Sequence, residues 1–396
     1  MMSYFKKGRT TMEVENAVRE RYSKGALERE SELCCPVTYD PKYLEAIPKE
    51  VLERDYGCGD PSRHVREGDT VLDLGSGGGK ICFIAAQAAG PSGRVIGVDM
   101  NEEMLAMARR AAPVVAANIG HANVVFRRGR IQDLRLDIDM LDAWLAKHPV
   151  RSAADLAVME ETADRLRRES PLVVDASVDL VVSNCVLNLV RESDRRLLIS
   201  EVFRVLKPGG RIAISDIVSD EMVPDDMKAD PDLWSGCVSG AFQEQEMLWE
   251  LERAGFYGIA LSEWSAQPFR VVRGIEFRSV TVTARKGKEG VCLEANEAVI
   301  YKGPWKQVED DDHHVLRRGE RAAVCAKTYR ILTSAPYVDD IVPVPPRVAI
   351  PEQERQTYDC SRTSARDPRE TKGLEYETTS DSGKGASDCC PPGNCC

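Results

Sequence analysis

Residues 70–89 read TVLDLGSGGGKICFIAAQAA. TVLDL is a short apolar run of the kind that makes a buried strand. KICFIAAQAA reads as a helix. Between them Gly75-Ser76-Gly77-Gly78-Gly79 forms a turn. Glycines there let backbone approach a ligand closely, and the following helix N-terminus offers free N–H groups. The segment 69–285 repeats this strand-then-helix alternation, which predicts an α/β fold with a mostly parallel sheet.

Outward from that turn, RVIGVDM is a second strand ending on Asp99, and NEEMLAMARRAAPVVAAN a helix with Pro113 as its expected kink or break. NVVFRRG, SVDLVVS and RIAISDI are strands three to five. Ser193 or Asp194 is the expected cap of RRLLISEVFRVL, and Pro208-Gly209-Gly210 its stop. QEMLWELERAG closes on Gly255, and YGIALSEW with FRSVTVTAR makes a terminal strand pair. Residues 137–176 read as an inserted helical pair.

Residues 1–68 form an N-terminal segment expected to cover the site, and 69–288 the main domain. Residues 289–350 are expected to form a small β-rich or α+β domain. Residues 351–396 are polar, and a disordered tail ending in CCPPGNCC is expected.

The formal net charge of −11 argues against a nucleic-acid partner, which would need clustered Lys and Arg. No apolar run spans a bilayer and no hydrophobic signal segment opens the chain, so a cytoplasmic protein, read as a monomer, is expected. In that reducing compartment 13 cysteines suggest soft-metal or redox chemistry rather than a disulfide framework. Cys82 and Cys292 are expected to be small buried hydrophobes.

The glycine turn departs from the G-x-G-x-x-G spacing of dinucleotide sites, and Asp73 precedes it on the strand. Both features point to S-adenosylmethionine (SAM), whose amino-acid end needs no pyrophosphate cradle. VLDLGSGGG, VIGVDMNEEML and FRVLKPGGRIAISD resemble the successive motifs of class I SAM-dependent methyltransferases, which implies a Rossmann-like sheet. On that resemblance Gly75 and Gly77 pack against the homocysteine part, Asp99 holds the ribose and Met100 lies on the adenine. Many family members carry an acidic residue where Arg130 stands here. The adenine contact then falls to the backbone at Ile131.

After strand four comes Ser183-Asn184-Cys185-Val186-Leu187-Asn188-Leu189. A methyl acceptor with a free lone pair and no proton to lose needs no general base, and no histidine falls in a motif. Trivalent arsenic fits: it is soft, binds three thiolates in a pyramid and keeps a lone pair at the apex. Candidate ligands are Cys58, Cys185, Cys237 and the Cys34-Cys35 pair.

Tyr56-Gly57-Cys58-Gly59, the SNCVLNL stretch and Trp234-Ser235-Gly236-Cys237 resemble the arsenite methyltransferases over about residues 15–285. The resemblance implies four working cysteines: Cys58, Cys185, Cys237 and one of Cys34 and Cys35. It places Cys58, Cys185 and Cys237 as arsenic ligands, with the early pair as the redox partner of Cys58. It also puts Tyr56 and Asn184 beside the cofactor, arsenite and methylarsenite as substrates, and glutathione or thioredoxin as the reductant. The competing readings are a methyltransferase of another small molecule or metalloid, and a thiol protein that binds arsenic without turnover.

Overall fold

The computed structural model describes residues 11–28, 30, 37–361 and 364–373. The chain divides into two compact units, Met1–Gly287 and Lys288–Cys396.

The first unit opens with helices α1 (Thr11–Leu27), α2 (Pro41–Leu44) and α3 (Lys49–Glu53). Then β1 (Thr70–Leu74), α4 (Lys80–Ala89), β2 (Arg94–Asp99), α5 (Glu102–Ile119) and β3 (Val124–Arg128) follow the predicted alternation. The inserted pair is α6 (Ile138–Leu145) and α7 (Ala153–Glu169). Next come β4 (Val178–Asn184), α8 (Glu192–Val205), β5 (Leu206–Ser219), α9 (Asp225–Lys228), α10 (Pro231–Ser235), β6 (Phe242–Gln243) and α11 (Glu244–Arg253). The terminal strands are β7 (Tyr257–Trp264), β8 (Arg270–Val272) and β9 (Ile275–Arg285).

These strands form one nine-stranded sheet, with the order β3-β2-β1-β4-β5-β9-β7 along its main path. β1 to β5 run parallel, and β9 is antiparallel to both β5 and β7. Successive residues of β1 face opposite sides. Val71 packs with Ile81, Ile84 and Leu105 of α4 and α5, whereas Leu72 and Leu74 pack with Leu198, Val202 and Leu251 of α8 and α11. Helices therefore cover both faces, as a parallel sheet requires. The strand order reverses between β1 and β4, so the loops after Leu74 and Asn184 flank one crevice, where open α/β sheets bind ligands.

Three local expectations are corrected. Pro113 lies inside α5 without ending it. Its ring is exposed, while Ala108, Ala111 and Val115 hold the helix on the sheet across it. α8 starts at Glu192 with Arg191 as its cap residue, not Ser193 or Asp194. Pro208-Gly209-Gly210 belongs to β5, because Gly209 and Gly210 exchange backbone hydrogen bonds with Lys286 at 2.8 and 2.9 Å.

The second unit is small. β10 (Ala298–Tyr301) pairs antiparallel with β13 (Arg321–Ala323) and β14 (Ile341–Val344), and β11 (Gln307–Glu309) forms a hairpin with β12 (Val315–Arg317). Helices α12 (Ala326–Leu332) and α13 (Pro368–Lys372) complete it. The structure continues past Ile350, where a disordered tail was expected. The bridges Leu293–Thr357 and Ala322–Ala365 tie residues 351–373 to this unit, and Arg366 and Thr371 are buried. Polar composition misled there, because this segment docks through backbone pairing and Arg366 ion pairs to Glu294 and Glu370. CCPPGNCC lies outside the described residues, as do Cys34 and Cys35.

Candidate active site

β1 delivers the glycine turn to the crevice. Gly75 (φ +68°) and Gly77 (φ +50°) occupy the left-handed region that favours glycine. A Cβ on Gly75 would strike Val186 at 2.4 Å, so the turn and the loop after β4 touch. A Cβ on Gly77 would meet no protein atom within 4 Å, because that face opens into the pocket. Gly79 caps α4 in the left-handed conformation.

At the end of β2, Asp99 accepts hydrogen bonds from the backbone N–H groups of Gly77 and Asn101, both at 2.8 Å. Burial raises its pKa above the usual carboxylate range, while those N–H groups oppose the shift. Asp73 is buried at the floor, and burial pushes it up to about 7, against the Cys82 thiol that hydrogen-bonds its Oδ2 at 3.2 Å. Cys82 is the buried residue that was expected.

The pocket wall contains Tyr56, Asp73, Gly75, Gly77, Asp99, Met100, Arg130, Ile131, Asn184 and Cys185 together. The residues present fit SAM. Gly77 leaves room for backbone-close approach, and Ser76, on the same wall, has a buried Oγ with no hydrogen-bond partner.

The cysteines stand at the mouth of β4. Cys185 has φ +58° and Cys237 φ +57°, left-handed conformations that cost a non-glycine residue energy. Cys185 is held there by its N–H, which donates to the Ser215 carbonyl at 2.8 Å. Its sulfur is joined to Cys58 in a disulfide, with Cα atoms 5.8 Å apart. Cys237 is buried, and its Sγ lies 3.3 Å from the Cys185 carbonyl oxygen. Asn188 ties the two loops, its amide donating to the Ile217 and Cys237 carbonyls at 2.6 and 3.5 Å.

Asn184 lines the pocket, but its amide is committed elsewhere. It accepts from the N–H groups of Cys58 (2.8 Å) and Gly59 (3.1 Å) and donates to the Gly59 carbonyl (2.8 Å). It is the strut that carries Cys58 to Cys185. Gly57 must be glycine beside it, since a Cβ would lie 2.2 Å from Asn184 Nδ2.

Four residues escaped the sequence reading. Asp216 on β5 lies with its carboxylate within 4.8 Å of both bonded sulfurs. Burial raises its pKa to about 6, against hydrogen bonds from the Ile217, Leu187 and Asn188 N–H groups. Tyr22 of α1 lines the pocket and places its hydroxyl 3.7 Å from Cys237 Sγ. Asp55, also on the wall, pairs with buried Lys80 at the start of α4. A strand-end aspartate and a helical tyrosine carry no local signal for this role.

Two family models match. Residues 66–255 match "Methyltransferase domain", and 288–376 match "Domain of unknown function (DUF8838)". An arsenite methyltransferase of Aquipseudomonas alcaligenes is 32% identical, over 80% of this chain and 86% of its own. The chain belongs to the arsenite methyltransferase family. A mouse arsenite methyltransferase is 27% identical over 84% of this chain and 81% of its own. The crystal structure of an arsenic(III) S-adenosylmethionine methyltransferase from Chlamydomonas reinhardtii is 26% identical, covers 82% of this chain and all of its own, and superposes with a TM-score of 0.54. The enzyme is thus a SAM-dependent methyltransferase, and the Rossmann-like fold is that of its class. Among the described residues no helix is long and apolar enough to cross a membrane.

Proposed function

We propose that this enzyme methylates arsenite and then methylarsenite while Cys58, Cys185 and Cys237 hold the arsenic. The observation that carries the reading is the position of Cys185, which lines the SAM pocket, is bonded to Cys58 and has Cys237 against its carbonyl.

Bound SAM supplies an electrophilic methyl group. Gly75 and Gly77 give its amino-acid end room, Asp99 takes the ribose hydroxyls, and Met100 with the Ile131 backbone borders the adenine. The reduced cysteines lose their protons on binding arsenic, as thiolate ligation requires. Asp216, beside two of the sulfurs, is placed to take one. No base is needed for methyl transfer itself. The arsenic lone pair forms the As–C bond as the sulfonium S–C bond breaks, and arsenic passes from the trivalent to the pentavalent state. Cys58 and Cys185 return two electrons by closing their disulfide, which restores trivalent arsenic.

A thiol reductant, glutathione or thioredoxin, must then reopen that bond. This requirement favours the reducing cytoplasm as the working compartment.

The test is incubation with arsenite, SAM and excess thiol, with chromatography of arsenic products. Methylated arsenicals that vanish without thiol support the cycle. Arsenite that binds without product would make the protein a sequestering one.

A further inference from the structure

The second unit holds three cysteines that methyl transfer does not use. Cys292 precedes β10, Cys325 caps α12, and Cys360 lies on the segment after Ile350. Their sulfurs all lie within 4.8 Å of one another. Cys292 was expected to be an inert buried residue, but it is only partly buried and faces two other thiols. The backbone builds this convergence. Tyr358 N–H donates to the Cys292 carbonyl at 2.9 Å, Glu294 N–H to the Gln356 carbonyl at 2.8 Å, and Ala326 N–H to the Leu293 carbonyl at 2.9 Å.

We propose that Cys292, Cys325 and Cys360 bind one zinc ion as thiolates. Zinc held by three protein ligands takes water in the fourth position. Trivalent arsenic also suits three sulfurs, but none of these lines the SAM pocket, and the experiment below separates the two ions. The role is structural. The main apolar cluster of this unit is thin, built around Val299, Tyr301, Leu316, Ala322, Val324, Leu332 and Ile341. Small domains with thin cores commonly rely on a metal or disulfides. Zinc here would clamp the segment carrying Cys360 onto the sheet. Binding exchanges thiol protons for the cation and involves no redox change.

Full-length enzyme produced without arsenic should carry one zinc per chain by inductively coupled plasma mass spectrometry. Cys325→Ser and Cys360→Ser should lose it, and Cys185→Ser should keep it. Should the cysteine variants fail to fold, wild-type protein still decides. Cys292, Cys325 and Cys360 should resist alkylation until zinc is chelated, by peptide mass spectrometry. Absence of zinc, zinc retained in both cysteine variants, or protection of these cysteines by arsenite but not zinc would overturn the proposal. None of these readouts depends on methylation.

Discussion

Cys58, Cys185 and Cys237 in the first unit and Cys292, Cys325 and Cys360 in the second are both sulfur trios, yet their surroundings differ at every point. The first borders an open pocket, has a carboxylate beside it and is part-oxidised, with two members in left-handed backbone. The second has three free thiols, does not line that pocket and has ordinary backbone at each cysteine. Strained, exchangeable sulfur suits a substrate that must enter, change oxidation state and leave. Relaxed sulfur held by pairing suits an ion that stays. Chemistry at a cysteine is thus set less by the thiol than by access, by neighbouring charge and by whether the backbone is at rest.

The sharpest way to break this contrast is to remove a sulfur from the first trio. Cys185→Ser and Cys237→Ser should each abolish product from both arsenite and methylarsenite, read by chromatography with excess thiol present. Arsenite has three exchangeable positions and methylarsenite two, so Cys58→Ser should lose the first reaction and retain the second, the excess thiol then supplying the two electrons that the Cys58–Cys185 pair supplies in the wild type. Wild-type rates on methylarsenite in Cys185→Ser would remove that residue from the site and end the assignment of the acceptor.

The two trios also differ in how far the sequence exposes them. β1, the glycine turn, Asp99 and Cys185 are legible because each depends on a contiguous pattern: an apolar run, a turn composition, a strand end. The β1–β4 switch point then brings Asp99 and Cys185 together by a general rule of α/β sheets. Asp216 was hidden, because it gains meaning only when β5 is laid beside β4. Asn184 was visible as a pocket residue, but its work as the strut for Cys58 is a contact across 126 positions. Cys292, Cys325 and Cys360 are scattered single cysteines with no ligand spacing among them, and only antiparallel pairing of the 292–294 and 356–358 segments unites them. Pro113 and the polar residues after Ile350 show composition overruled by tertiary packing.

A smaller effect sharpens the picture of the pocket beside the first trio. Asp99→Ala removes a partly buried carboxylate of the pocket wall, the one proposed above to accept the ribose hydroxyls. Hydrogen bonds to a charged group are worth about 1.5–3 kcal/mol, about tenfold or more in affinity. Calorimetric titration should show that loss for SAM, with arsenite binding nearly unchanged. Unaltered SAM affinity would refute the ribose contact.

The charge beside the first trio has a signature in stability. Asp216 titrates at about 6 in the fold, well above its ordinary value of 3.8. A carboxylate with a raised folded pKa favours the fold while protonated, and that contribution is lost as pH rises through the folded pKa. Asp216→Asn removes the charge and keeps an oxygen for one of the two N–H groups, Leu187 and Ile217, that bond the two carboxylate oxygens. The melting temperature of the variant relative to wild type should therefore climb between about pH 4 and 6 and level off above that. A difference that stays flat across this window would mean that the carboxylate is not strained by burial.

The smallest expected effect separates the second trio from the four terminal cysteines. A chain ending at Lys372 drops CCPPGNCC but keeps Cys360, Arg366 and Thr371, the last two of which are buried in the second unit. It should keep its zinc and its rate at saturating arsenite. Any loss should appear only at low arsenite, where capture by vicinal thiols would matter. A chain ending at Ile350 is the informative contrast. It removes Cys360, the bridges at Thr357 and Ala365, and the Arg366 ion pairs. Zinc content should fall to background, and thermal unfolding should show the second unit melting earlier. If both truncations behave alike, residues 351–372 contribute nothing to that unit, and the second trio is an accident of proximity rather than a site.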